Sequence, residues 1–313
     1  MSAALAALQT ALLVALAPLF SGTIASLEAR LQMRRGAPPW QRYADLARLF
    51  AKESILSTDA SWLARVAPYL VLGASLAIAT WTPVLLAGSA MSFAGDLVMT
   101  VALLALVRVL HGLAALEAGT TFGGMAASRH LALSALAEPA LMLAVFTLAI
   151  GAHSTDLARI SRAVALAPHG WLAPSHLLAL ASMWLVVLSE NGRVPVDNPA
   201  THLELTMIHE GMVLDYSGRH LGLLEWAATV RQMVLFTLVA NLFLPWGIAL
   251  EPTRGALSAA FVAWVFKLFA FAIVVALGES LTAKLRLFRV PEFLGMAFLL
   301  ALLALTSNSL LGG

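Results

Sequence analysis

Long apolar runs broken by short polar stretches set the pattern of this chain. Crossing the hydrocarbon core of a bilayer takes about 20 residues of helix. Eight runs meet that requirement, at roughly 3–27, 66–88, 97–118, 131–151, 171–190, 225–247, 258–279 and 291–311. A membrane β-barrel would show alternating segments of about ten residues instead. These runs are continuous, so the pattern predicts an all-α integral membrane protein, a single polytopic domain over 1–313 with about eight spans.

Two polar stretches predict structure of their own. After the breaker Gly36-Ala37-Pro38-Pro39, the residues Trp40, Tyr43, Ala47, Phe50 and Ile55 recur at helical spacing, with Arg42, Asp45, Arg48 and Lys52 between them. That spacing predicts an amphipathic helix in the first loop, lying along the membrane surface. It can be simple membrane packing or a docking ledge for a partner. The second stretch is the connector 191–224. There Asn198 is placed as an N-cap with Pro199 at the first helical position. A helix is expected over His202 to Val213, with Gly218 able to end it.

Composition strengthens the membrane reading. The chain of 313 residues is 60% hydrophobic and 12% charged, with a mean hydropathy of +0.87; a soluble domain carries about 25% charge. A net charge of only +2 gives no electrostatic support for nucleic-acid binding. The absence of cysteine excludes disulfides, thiolate metal sites and iron–sulfur clusters ligated by this chain. The first run precedes every Lys and Arg, so it reads as a first span and not as a cleaved leader. Thirteen Lys and Arg fall in alternate loops on one side, against Arg159, Arg162 and Arg254 on the other. The positive-inside rule makes the first side cytoplasmic and leaves both termini outside.

Charge inside the apolar runs is the candidate chemistry. Glu117, Glu138, Glu190, Glu225 and Glu279 all fall on the inner side of the midplane. The connector adds Arg193, Asp197, His202, Glu204, His209, Glu210 and Asp215. Arg108 and Lys267 lie near mid-membrane, and His111 shares a helix face with Arg108. Lys267 stands twelve residues from Glu279, about 18 Å along a helix. A charge at such depth costs at least about 2.5–3.5 kcal/mol on insertion scales. Carboxylates below the surface, joined to an acidic loop and continued inward by basic groups, fit the mouth of a proton path. For the acids at helix ends, solvation or salt bridging is the competing account. His209-Glu210 begins like a zinc-protease motif, but Val213 stands where the second histidine is required, so no metal site is expected.

Glu190-Asn191-Gly192-Arg193-Val194-Pro195-Val196-Asp197, then Glu204-Leu205, then Asp215-Tyr216-Ser217-Gly218, resembles the signature of a family of membrane subunits. That family joins subunit 1 of respiratory complex I to the membrane subunits of group 4 [NiFe] hydrogenases. The wording Asp197-Asn198-Pro199-Ala200-Thr201-His202-Leu203-Glu204-Leu205-Thr206-Met207-Ile208-His209-Glu210 is closer to the hydrogenase branch, of formate hydrogenlyase and hydrogenase-4 type. Complex I members carry Phe where Val196 stands and a more acidic segment at Pro199 to Leu203. The resemblance implies a membrane anchor beneath a hydrophilic arm, coupling that arm to proton translocation in a bacterial or archaeal cytoplasmic membrane. It implies hydrogenase large and small subunits on the cytoplasmic side and antiporter-like subunits within the lipid bilayer. The [NiFe] site and iron–sulfur clusters would belong to those partners, with no cofactor on this chain. Residue by residue it points to Glu138, Glu190, Arg193, Asp197, Glu204 and Asp215. Two alternatives stay open: a complex I subunit forming a quinone site, and a stand-alone ion transporter.

Overall fold

A computed structural model of the chain describes residues 3–56, 60–88, 95–117, 119–167, 172–197 and 208–311. Helices make up its regular structure, and the described residues contain no β-strand. In chain order they are α1 (Ala3–Leu31), α2 (Gln41–Ala51), α3 (Trp62–Trp81), α4 (Leu97–Glu117), α5 (Thr121–Ala152) and α6 (Leu157–Leu166). Then come α7 (Pro174–Glu190), α8 (His209–Val213), α9 (Gly218–Leu238), α10 (Arg254–Leu281) and α11 (Val290–Leu311).

Seven of these are long and apolar enough to cross a bilayer: α1, α3, α4, α5, α9 with its π-helical extension, α10 and α11. The run expected at 171–190 forms α7, a shorter apolar helix of 17 residues, about 25 Å at 1.5 Å per residue. It is wedged between α5 and α11. Small residues close this seam: Ala140 and Ala144 on α5, Ala179 on α7, and Ala297, Ala301 and Ala304 on α11 are fully buried. Such residues let helix backbones approach in lipid, and Ser182 on α7 adds a hydrogen bond to the Ala297 carbonyl at 2.7 Å.

Other boundaries also move. The span expected at 66–88 ends at Trp81, because Thr82-Pro83 leaves the helix. The following backbone is buried and needs partners. Gln9 accepts from the amides of Leu85 and Leu86, Asn241 donates to the carbonyls of Pro83 and Val84, and Leu86 bridges to Ala249. The span expected at 131–151 is the C-terminal two thirds of the 32-residue α5, which begins ten residues earlier. Helix α6 lies in a loop for which no helix was expected.

Helix α9 is the axis of the bundle, with every residue from Thr229 to Leu238 buried. A helix covered on all sides belongs to an interior. Its last turn widens into a π-helical segment at Val239–Phe243. The carbonyls freed there are met by side chains. Lys267 donates to Ala240 and Leu244 and to the Asn241 side chain, Ser161 donates to the Asn241 carbonyl, and His176 bonds the Phe243 carbonyl.

The amphipathic helix expected in the first loop is α2. It does not lie free on a surface: it packs on α1 and α9, with Phe50 edge-on to Trp226 and no residue fully buried. In the connector, residues 198–207, including Asn198, Pro199, His202 and Glu204, fall outside the described residues. The described helix there is the five-residue α8, and Gly218 does not terminate it but opens α9. The connector is therefore shorter than 191–224, and Glu225 sits two turns inside α9 instead of opening it.

A candidate proton-handling site at the connector end

Helices α4, α5, α7 and α9 converge where the connector leaves α7, and each brings a charge. Arg108 on α4 is 2% exposed. Its Nε donates to Glu190 Oε2 at 3.0 Å, and its Nη1 donates to Glu138 Oε2 at 3.1 Å. One guanidinium thus ties the last residue of α7 to the middle of α5. Glu190 is nearly as enclosed as the arginine, whereas the Glu138 side chain is 35% exposed on the outside of the bundle. Guanidinium geometry suits this work, because its fork can serve two carboxylates at once. Its third nitrogen, Nη2, is buried without a hydrogen-bond partner.

Two further ion pairs fasten the connector. Arg193 reaches Glu279 on α10, with Nη1 3.4 Å from Oε1. Lys284, just beyond α10, places its Nζ 3.0 Å from Asp197 Oδ1. The same loop donates from the Leu285 amide to the Pro195 carbonyl at 2.8 Å. The other Asp197 oxygen accepts from the amides of Ile208 and His209 at 3.2 and 3.3 Å, at the start of α8. His209 Nδ1 stands 3.7 Å from that oxygen, beyond hydrogen-bonding distance but close enough for charge coupling. Burial pushes the Asp197 carboxyl up, but His209 and Lys284 outweigh it and hold the group well below the usual carboxylate range. At the rim, Glu225 on α9 pairs with Arg42 on α2 at 3.6 Å, half in solvent.

Some of these groups line an open cavity of about 300 Å³. Glu28, Arg42, His111, Arg193, Asp197 and His209 are among its walls, with Glu210, Glu225, Arg231 and Gln232 completing the polar side. A second cavity of about 10 Å³ lies between α5, the end of α7 and the start of α8. Among the described residues no group of three or more His, Cys, Asp or Glu is arranged to hold a metal ion.

The sequence-predicted residues therefore divide. Arg108, Glu138 and Glu190 form one linked group; His111, Arg193, Asp197, His209, Glu210 and Glu225 share the cavity; Glu279 joins through Arg193. Glu117 and Asp215 are fastened apart from it. Glu117 accepts from the Ser61 amide at 2.7 Å and Asp215 from the Thr120 hydroxyl at 2.8 Å. Burial, reinforced by their two charges, pushes the Tyr216 phenol up to about 12. Lys267 is not brought to the acids; its hydrogen bonds go to the far end of α9, beneath the Trp246 ring. Several residues of the site were not among the candidates: Glu28 and Arg42 in the cavity wall and Lys284 on Asp197, besides Arg231, Gln232 and His130. Arg231 and Gln232 on α9 line the cavity, and Arg231, a charge inside the apolar run expected at 225–247, carried the same signal as Arg108. His130 meets His209 edge-on, at 5.1 Å between ring centroids, and carried no local signal.

Comparison with known proteins bears on this arrangement. A family model described as NADH dehydrogenase matches residues 3–308. Over 297 residues the chain is 33% identical to hydrogenase-4 component C of Escherichia coli (strain K12), covering 95% of this chain and 92% of that one. Over 300 residues it is 34% identical to formate hydrogenlyase subunit 4 of the same organism, covering 96% of both. Among solved structures, a chain of the membrane-bound sulfane sulfur reductase, an archaeal respiratory membrane complex, superposes with a TM-score of 0.79. The match covers 96% of this chain and 97% of that one at 20% identity, a likeness of fold.

Proposed function

The chain belongs to the NADH dehydrogenase family, and from that premise we propose that it is the membrane-anchoring, proton-coupling subunit of an energy-converting [NiFe] hydrogenase complex of formate hydrogenlyase type. It is a multi-pass membrane protein homologous to hydrogenase-4 and formate hydrogenlyase membrane subunits. In the proposal it sits in a bacterial or archaeal cytoplasmic membrane, connector inward. Hydrogenase large and small subunits, holding the nickel-iron site and iron–sulfur clusters, dock on that end, and antiporter-like subunits flank it in the bilayer.

The observation that carries the reading is Arg108, buried between Glu138 and Glu190 beside a polar cavity. Arg231 on α9 is coupled to both Glu190 and Arg108, so two carboxylates are matched by two cations, and a proton taken up by either acid leaves the group one positive charge in excess. Protonating either acid loosens one arm of the bridge and leaves the other intact. Glu190 faces the connector, where an arm would press. Glu138 faces outward from the bundle, where a neighbouring membrane subunit would lie. A push on the connector is thereby converted into a change of proton affinity at depth.

Purification in mild detergent through a tag on this chain tests the assembly. A nickel-iron large subunit is expected to copurify; a NADH-oxidising module in its place would overturn the reading. In the purified complex, Glu190→Gln is expected to preserve membrane insertion and lower proton movement per turnover at least about tenfold.

A second reading, a quinone site, draws on the cavity between α1, α2, α9 and the connector, whose volume of about 300 Å³ would admit a ring headgroup. Quinone-dependent turnover of the purified complex would favour it. The stand-alone transporter finds less support, since both Escherichia coli relatives are named as parts of larger assemblies.

A further inference from the structure

We propose that His209 is the gate through which protons pass between the large connector cavity and the buried Glu190–Arg108 pair. This deepens the proton-coupling reading above and rests on it.

Geometry singles the residue out. The large cavity is open to the connector, and the small one touches Glu190. Among the described residues His209 is the only one that lines both. The small cavity, about 10 Å³, is on the order of one water molecule in size. It is polar enough to hold one, since His130, Ser134, Ser189 and Glu190 contribute to its wall. His130 is 3% exposed, yet its Nε2 has no hydrogen-bond partner, and neither do the two ring nitrogens of His209. Buried polar nitrogens are costly without partners. Two such rings in a T-shaped contact on one polar void are placed for proton exchange with it, and a packing role gives them no partner.

The ring is also held in place. Asp197 accepts from the His209 amide and faces Nδ1, so it fixes the backbone and stabilises an imidazolium. Gly192 packs against the same edge of the ring, in a left-handed conformation with φ of 58°. A Cβ there would stand 2.6 Å from Nδ1, so any side chain would drive the imidazole from its seat.

The transfer balances. A proton from the large cavity bonds to one ring nitrogen, giving the imidazolium opposite Asp197. The N–H on the other nitrogen breaks, and its proton passes across the small cavity to a Glu190 oxygen, forming an O–H bond. His209 returns to neutrality as the opposite tautomer and is reset by a ring flip. Neutral Glu190 then loosens its hold on Arg108 Nε.

The test uses the assembled complex in proteoliposomes, with proton movement per turnover followed by a pH-sensitive dye. His209→Ala is expected to slow movement at least about tenfold. Added imidazole, entering the large cavity, is expected to restore it several-fold. Pyrazole, of similar size and far less basic, is expected to restore nothing. Wild-type movement in His209→Ala, or equal rescue by both compounds, overturns the gate. If Glu190→Gln is impaired while His209→Ala is not, only the gate fails; if both move protons as wild type does, the proton-coupling reading fails with it. Should loss of the ring block assembly, His130→Gln carries the test: slowed movement supports the path, and wild-type movement overturns it.

Discussion

Arg108 is the residue on which the buried charge balance turns. With its cation removed, Glu190 would be left ionised in an enclosed site, and breaking such a pair costs about 3–5 kcal/mol. Glu138 would suffer less, because its side chain reaches the bundle surface. Arg108→Met is therefore expected to lower the thermal unfolding midpoint of the purified protein sharply. Adding Glu190→Gln to that variant should recover part of the loss, because the enclosed carboxylate is gone while Arg231, which also faces it, keeps its charge. If the double variant unfolds as early as the single one, Arg108 matters for packing and not for charge. The acids of this group were legible in the sequence, since a carboxylate in an apolar run is conspicuous. Their pairing was not. The distances that join residue 108 to 138 and 190 are set by how three helices cross, which no local pattern records.

At the scale of elements, the first loop and the connector are sewn together. Ser217 exchanges hydrogen bonds with both backbone groups of Ile55, at 2.8 and 3.0 Å, and the His220 amide donates to Ser54 Oγ. Gly218 makes the seam possible. Its φ is 53°, and a Cβ would fall 2.1 Å from the Glu53 carbonyl oxygen. Gly218→Ala would add backbone strain of about 1–3 kcal/mol as well as the clash. Limited proteolysis is the measurement: cleavage after Lys52 is expected to rise markedly in this variant while cuts elsewhere are unchanged. The seam explains one misreading. Glycine after a polar stretch reads as a helix terminator, yet here it begins α9, because a neighbouring strand of backbone claims the space its side chain would fill. Hydropathy likewise ran past Trp81 and missed the break after it. The residues 82–88 are as apolar as a helix, and their backbone is satisfied by Gln9, Asn241 and Ala249 from elsewhere in the chain.

Across the whole molecule, the helical membrane class and nearly all the spans could be read from periodicity and length. The enclosure of α9 could not, because its polar and charged residues (Glu225, Arg231, Gln232) mimic a helix facing water. The orientation rests on the basic loops, and the chain's lack of cysteine makes it directly testable. Glu53→Cys is expected to react with a membrane-impermeant maleimide only in inverted vesicles, and Glu251→Cys only in right-side-out ones. The reverse pattern would place the hydrophilic partners on the wrong face.

The Lys267 socket couples two helices of the bundle. All three ammonium hydrogens are engaged, with the Trp246 ring overhead. Its acceptors are the Ala240 and Leu244 carbonyls and the Asn241 side chain, all from the widened end of α9. That end of the central helix is thereby stapled to α10, so a displacement of either helix is passed to the other through one side chain.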